Sequence, residues 1–309
     1  MRIGIDLGGT NTAAAIVGPN GEILKRANLP TRADSAGSVL AGLSEVCGIL
    51  ISDTQTPASI GIGVPGTVNA DTGEVIFTPN LPLKGVNITR ELEKKYACPV
   101  YIGNDANCAA LGEVVAGGAK GAQDAVLITL GTGVGGGIII GGALHTGVSG
   151  AAGELGHTVI VAGGRACGCG RHGCLESYGS ATGLVRTANE IIGMHRESAL
   201  WEISGGQSAK LNGRIIFEAF RAGDHAARLI VEQYIGHLAV GIGNIINILE
   251  PEMICIGGGI SNEWESISEM LQTKVDAERF PHSSSASRQT IIVKAQLGND
   301  AGIIGAAML

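Results

Sequence analysis

Three thiols crowd into eight residues at Cys167-Gly-Cys169-Gly-Arg-His-Gly-Cys174. The glycines between them let a loop fold tightly enough for the sulfurs to converge, as a tetrahedral metal requires. Cys3His is a common ligand set for structural zinc, and two histidines stand near. His157, ten positions before Cys167, can fold back onto the loop. His172 lies inside it, where reaching the same ion as its flanking cysteines is harder, so His157 is the better placed. The plain alternative is three free or buried thiols. Glu154 and Glu176 flank the loop, and ordering it brings both carboxylates near one pocket, although either alone reads as a surface glutamate. Gly8-Gly9-Thr10-Asn11 follows one apolar run, and Gly131-Thr132-Gly133-Val134-Gly135 follows another. Such turns can wrap backbone N–H groups around phosphate oxygens, with threonine hydroxyls as further donors. Each alone is equally a tight hairpin; together with Gly257-Gly258-Gly259 they point to a nucleotide cradle. Asn104-Asp105 closes an extended run where a helix begins. In open α/β sheets that is where ligands bind, although an aspartate there also reads as a helix cap. Carboxylates and asparagines facing one cleft suit a polyol, whose hydroxyls each need a donor and an acceptor.

Two glycine patterns are decoys. Gly61–Gly66 and Gly131–Gly136 both fit G-x-G-x-x-G, but the dinucleotide fingerprint needs a helix at the turn and an acidic residue about 20 positions on. Pro65 starts no helix, and the second match runs into Ile138-Ile139-Ile140. No G-x-x-x-x-G-K-[ST] occurs either, which excludes a P-loop.

The elements that must position these groups alternate in type. Arg2–Leu7 and Thr12–Val17 are strand-like, and Asn20-Gly21 before Glu22–Arg26 is a strong hairpin signal. Ser35–Ile51 is apolar at helical spacing, Ser59–Val64 is a short strand, and Asp71–Gly73 is a second hairpin turn before Glu74–Phe77. Asn87–Tyr96 reads as a helix, Pro99–Ile102 as a strand and Asp105–Ala116 as a helix. After Gly117-Gly118 the opening theme repeats: strand Ala125–Leu130, glycine turn, strand Gly137–Ile140. Helices follow at Ser180–Met194, Asn212–Ala222 and His225–Leu249, the last apolar nearly all round and hence expected in a core. Strand Glu252–Ile256 runs into the third glycine cluster, followed by helix Glu263–Phe280, a serine-rich surface loop at Pro281–Ser287, strand Thr290–Val293 and helix Asn299–Leu309. Strands alternating with helices, plus hairpins, predict a mixed sheet in each of two α/β domains.

Composition narrows the class. Glycine supplies 50 of 309 residues, well above the usual share of about 7%, with no three-residue period. At 45% hydrophobic and 16% charged, the chain is not disordered in character. A net charge of −7 and 3% aromatics argue against a nucleic-acid surface. Ala125–Leu144 carries no charge but seven glycines, each costing a helix about 1 kcal/mol, so it is not read as a membrane span. An odd cysteine count and the absence of a signal-peptide pattern at the start place the protein in the cytoplasm.

The motifs resemble one family throughout. They are Asp6-Leu-Gly-Gly-Thr10, Pro79-Asn80-Leu81, Gly103-Asn-Asp105, Leu130–Gly137, Glu154-Leu-Gly-His157, the cysteine loop closing on Glu176, and Gly257–Gly259. In this order they are similar to the ROK sugar kinases (repressor, open reading frame, kinase), and within them to bacterial glucokinases. The resemblance implies an actin-like ATPase fold, ribonuclease H-like in each half, with two lobes closing on a sugar. It divides the chain into a lobe of residues 1–117, joined by the closing helix 298–309, and a larger lobe of 118–297 that carries the zinc loop 157–176. It implies Asp105 as the catalytic base toward the 6-hydroxyl of a hexose, glucose foremost. N-acetylmannosamine, N-acetylglucosamine, fructose or allose are alternative substrates, and a non-catalytic sugar sensor is the rival reading. Gly66, Asn80, Asn104, Glu154, His157 and Glu176 would bind the sugar. Asp6, Gly8, Gly9, Thr10, Asn11, Gly131, Thr132, Gly133, Gly257, Gly258 and Gly259 would bind ATP and its Mg2+. His157, Cys167, Cys169 and Cys174 would hold a structural Zn2+, His157 using its second ring nitrogen on the sugar. The family's repressors carry an N-terminal DNA-binding domain, for which a phosphate-turn strand starting at residue 2 leaves no place. A homodimer or homotetramer is expected.

Overall fold

Strand β1 (Arg2–Leu7) alternates Ile3, Ile5 and Leu7 with Gly4 and Asp6; β4 (Ile60–Val64) alternates Ile60, Ile62 and Val64 with Gly61 and Gly63. The two pair in parallel with Ile3 opposite Ile60 and Gly4 opposite Gly61, so bulky side chains share one face and glycines the other. The bulky face is buried against α1 (Ala36–Ile51), through Val39, Leu43, Val46, Cys47 and Leu50, and against α2 (Ile88–Tyr96), through Ile88 and Leu92. The glycine face admits α10 (Asp300–Ala306) to backbone contact: a Cβ at Gly4 would collide with the carbonyl of Ile303, and one at Gly61 with that of Ala306. Helix α3 (Asp105–Ala116) packs along α10. Two further strands, β2 (Asn11–Val17) and β3 (Ile23–Pro30), form the antiparallel hairpin expected around Asn20-Gly21, and β7 (Val100–Asn104) pairs in parallel with β4. The sheet order is β3-β2-β1-β4-β7. A small hairpin, β5 (Thr67–Asn69) and β6 (Glu74–Phe77), turns at the predicted Asp71–Gly73.

The second sheet contains β8 (Ala125–Leu130), β9 (Val134–Ile140), β10 (Ala143–Leu144), β11 (Met253–Gly257) and β12 (Ile291–Lys294), in the order β10-β9-β8-β11-β12. Taken in chain order, each sheet reads third, second, first, fourth, fifth, so the repeated sequence theme is a repeated topology. Both sheets mix parallel and antiparallel pairs.

The computed structural model describes residues 1–51, 57–205, 210–281 and 289–309; most of the expected Pro281–Ser287 loop lies outside them. The predicted helix from Ser180 is α5 (Ala181–Ile192), and one turn earlier the chain forms α4 (Glu176–Gly179), too short to show a period. Helix α6 (Ala199–Ser204) was not anticipated; α7 (Gly213–Arg221) and α9 (Trp264–Glu278) were, within a residue or two at their ends. Strand β9 starts at Val134, not Gly137, because pairing with β8 carries its glycines into the sheet despite their low strand propensity. Helix α10 ends at Ala306, short of the predicted Leu309. Helix α8 (His225–Leu249) buries Tyr234, Leu238 and Ile242 among many others, as a core helix should. It is long and apolar enough to cross a membrane by composition, yet most of it is buried in the protein.

Two compact units result. One comprises Met1–Leu127, Gly136–Gly153 and Ala295–Leu309; the other comprises Ile128–Gly135 and Glu154–Lys294.

Candidate active site

In the first unit the strand register brings the chemistry to one end of the sheet. Asp6 lies opposite Gly63, and Gly63 opposite Gly103, so Asp6 and Asp105 emerge at the carboxyl ends of β1 and β7. Asn104, not Asp105, caps α3: its Oδ1 accepts from Asn107 N at 3.1 Å, while its Nδ2 donates to the Gly66 carbonyl at 2.8 Å. The capping alternative for Asp105 is therefore overturned. Its carboxylate starts the first helical turn, where Oδ1 accepts from Ala106 N at 2.9 Å. Burial, and then the nearby Asp105, push Asp6 from its ordinary 3.8 up to about 6. Two nearby carboxylates, one of them pushed up by burial, are a donor pair that could hold a divalent cation. The Gly8–Asn11 turn is closed by Gly8 N donating to Asn11 O at 2.9 Å, with Gly9, Thr10 and Asn11 exposed. Gly9 faces exposed Asn80 closely enough that a Cβ there would lie 3.6 Å from the Asn80 Cβ.

In the second unit, ligand atoms of His157, Cys167, Cys169 and Cys174 all lie within 4.8 Å of one another. Cys169 Sγ is 3.7 Å from Cys174 Sγ, and Cys167 Sγ is 3.7 Å from His157 Nδ1. Ligands about 2.3 Å from a tetrahedral ion stand about 3.7 Å apart, the spacing of both these pairs, so the donor set is one that could hold zinc. His172 is exposed and lies outside that group. Burial pushes the Cys174 thiol up to about 12, whereas the Arg171 backbone N–H holds exposed Cys169 below the usual thiol range. His157 Nε2 faces the other way and lies 3.9 Å from exposed Glu154 Oε2.

The second and third glycine turns meet at the end of β8. Gly258, at φ +79°, packs so tightly on Leu130 that no Cβ fits between them, and Leu130 immediately precedes Gly131. Two arrangements here had no signal in the sequence. Arg165 anchors the start of the cysteine loop, gripping Glu190 with Nε and Nη2 and lying over the Tyr178 ring at 4.6 Å. Glu176 Oε2 accepts from Val134 N at 3.1 Å, across 42 positions of sequence.

The ROK family pattern matches residues 2–309. The chain belongs to the ROK family. A glucokinase of Halalkalibacterium halodurans is 37% identical over 99% of this chain and 94% of its own length. An N-acetyl-D-glucosamine kinase of Shigella boydii is 32% identical over 100% and 99%. Among solved structures, a ROK family glucokinase from Streptomyces griseus in complex with glucose and AMPPNP superposes with a TM-score of 0.79 at 33% identity, covering 99% of this chain and 98% of that one. The two mixed sheets are those of the actin-like ATPase fold.

Proposed function

We propose that this ROK protein is an ATP-dependent hexose kinase that phosphorylates the 6-hydroxyl of glucose. The observation that carries the reading is the carboxylate pair at the strand ends, Asp105 in the first turn of α3 and Asp6 near it. Asp105 takes the proton of the 6-hydroxyl as that oxygen bonds to the γ-phosphorus and the bond from phosphorus to the departing ADP oxygen breaks. Positioning and charge stabilisation dominate such a transfer, so the remaining residues serve mainly to hold. Asn80, Asn104 and the Gly66 backbone, with Glu154, His157 and Glu176, take the other hydroxyls. The turns at 8–11, 131–133 and 257–259 take the nucleotide. Asp6 would hold a water on a magnesium ion bound with ATP, and that ion would neutralise phosphate charge. His157, Cys167, Cys169 and Cys174 would hold a structural zinc, four protein ligands leaving no open position, and that bond would fix which way His157 points.

Full-length similarity to an N-acetylglucosamine kinase makes a 2-acetamido hexose the second reading. A sensor without catalysis has no use for Asp105. An ADP-release assay over a panel of hexoses, with and without an N-acetyl group, decides among all three. The expected result is turnover highest with glucose and lowered at least about 100-fold by Asp105→Asn, with nucleotide binding retained. Near-normal turnover in that variant would remove Asp105 as the base. Light scattering on the purified protein checks for the cytoplasmic homodimer or homotetramer that the family implies.

A further inference from the structure

Glu176 is assigned above to the sugar, but its geometry gives it a second task. It opens α4, whose N-cap is Leu175, a residue with no side-chain acceptor to offer the helix. Glu176 Oε2 accepts from Val134 N at 3.1 Å, and Val134 is the residue directly after Gly131-Thr132-Gly133. The other ties of that turn go to the same short segment. Ala181 N donates to the Gly131 carbonyl at 2.8 Å, and Thr182 Oγ1 donates to the Thr132 carbonyl at 3.0 Å. Two of these three ties end on carbonyls of the turn. The third, at Val134, ends on a charged carboxylate and is the stronger kind of bond. Gly133 sits directly against that carboxylate: a Cβ would collide with Oε2. The remaining oxygen, Oε1, lies 3.6 Å from Cys167 Sγ. One side chain thus spans the metal loop and the turn read as a phosphate cradle.

We infer that Glu176 is a positioning residue for the nucleotide, fixing the 131–133 turn whether or not sugar is present. The inference rests on reading that turn as part of the ATP site. It predicts that losing the carboxylate weakens nucleotide binding in sugar-free protein. An amide oxygen in its place can still accept from Val134 N, so the nucleotide effect and the sugar effect come apart.

The test is calorimetric titration of Mg-ADP into sugar-free wild-type protein, Glu176→Ala, Glu176→Gln, Gly133→Ala and the Gly133→Ala/Glu176→Ala double variant, followed by KM values for ATP and hexose. Glu176→Ala is expected to weaken ADP about tenfold, the scale of one charged hydrogen bond. Glu176→Gln is expected to bind ADP within about twofold of wild type while its hexose KM rises about tenfold. Gly133→Ala pushes on the same contact from the other side, so the double variant should lose little more than Glu176→Ala alone. Unaltered ADP binding by Glu176→Ala, failure of glutamine to rescue it, or fully additive losses would overturn the inference while leaving the kinase reading intact. If wild-type protein bound no ADP, the kinase reading would fall and this inference with it.

Discussion

Asp6 is a carboxylate whose surroundings disfavour its charge. In the ligand-free protein it titrates at about 6 instead of 3.8, chiefly because burial disfavours its charge and secondarily because Asp105 is near. Between those two values the folded protein holds a proton that the unfolded chain has already released. Stability therefore falls as pH rises through that window, by up to about 3 kcal/mol once Asp6 is ionised. Asp6→Asn removes the liability and should raise the unfolding free energy at pH 8, with a much smaller gain at pH 4, where folded Asp6 is still protonated and the unfolded chain has only begun to lose its proton. Urea unfolding of the two proteins at both pH values measures this; equal differences at pH 4 and pH 8 would contradict it. The two carboxylates were legible as candidates because each ends a readable strand. That Asn104 and not Asp105 caps α3 was not legible, since both residue types cap well and only the backbone geometry at residue 104 decides between them.

The cysteine loop is the element most fully legible in advance. Thiols separated by glycine, with a histidine ten positions upstream, leave few foldings, and the sulfurs converge at the spacing a tetrahedral ion sets. What holds the loop in place was hidden. Arg165 reaches Glu190 on α5, and Tyr178 Oη accepts from Arg165 N at 2.7 Å, contacts that no periodicity encodes. The four-residue α4 was hidden for a related reason, because one helical turn has no repeat to detect. Purified protein should contain about one zinc per chain by elemental analysis. Stripping it with a thiol-reactive mercurial and a chelator should raise the hexose KM at least about tenfold, since His157 and Glu176 lose their fixed orientation. Re-addition of zinc should restore the KM, and protein lacking metal as purified yet fully active would contradict the assignment.

At the scale of the whole molecule, the two sheets share one strand order, and in the first the glycines of β1 and β4 admit a helix to the sheet backbone. Where β1 and β4 face α10, glycine is what permits helix and sheet backbones to touch; the strands were legible, but that this helix uses their glycine face was not. How the chain splits between units is less visible: the divide falls inside β8 and β9, where the apolar run continues unbroken. The same chemical change should consequently have opposite signs at two places in the first unit. Gly61→Ala drives a methyl into the carbonyl of Ala306, and a backbone carbonyl in a packed helix cannot step aside, so it should destabilise by about 2–3 kcal/mol. Gly42→Ala lies mid-helix in α1 with nothing within 4 Å of the new methyl, and it should stabilise by about 0.5–1 kcal/mol through helix propensity and lost freedom in the unfolded chain. Calorimetric melting of both variants beside wild type measures the pair: Gly61→Ala should melt several degrees lower and Gly42→Ala slightly higher. A tolerated alanine at 61 would mean that α10 can lift off the sheet, and the packing assigned to that face would be wrong.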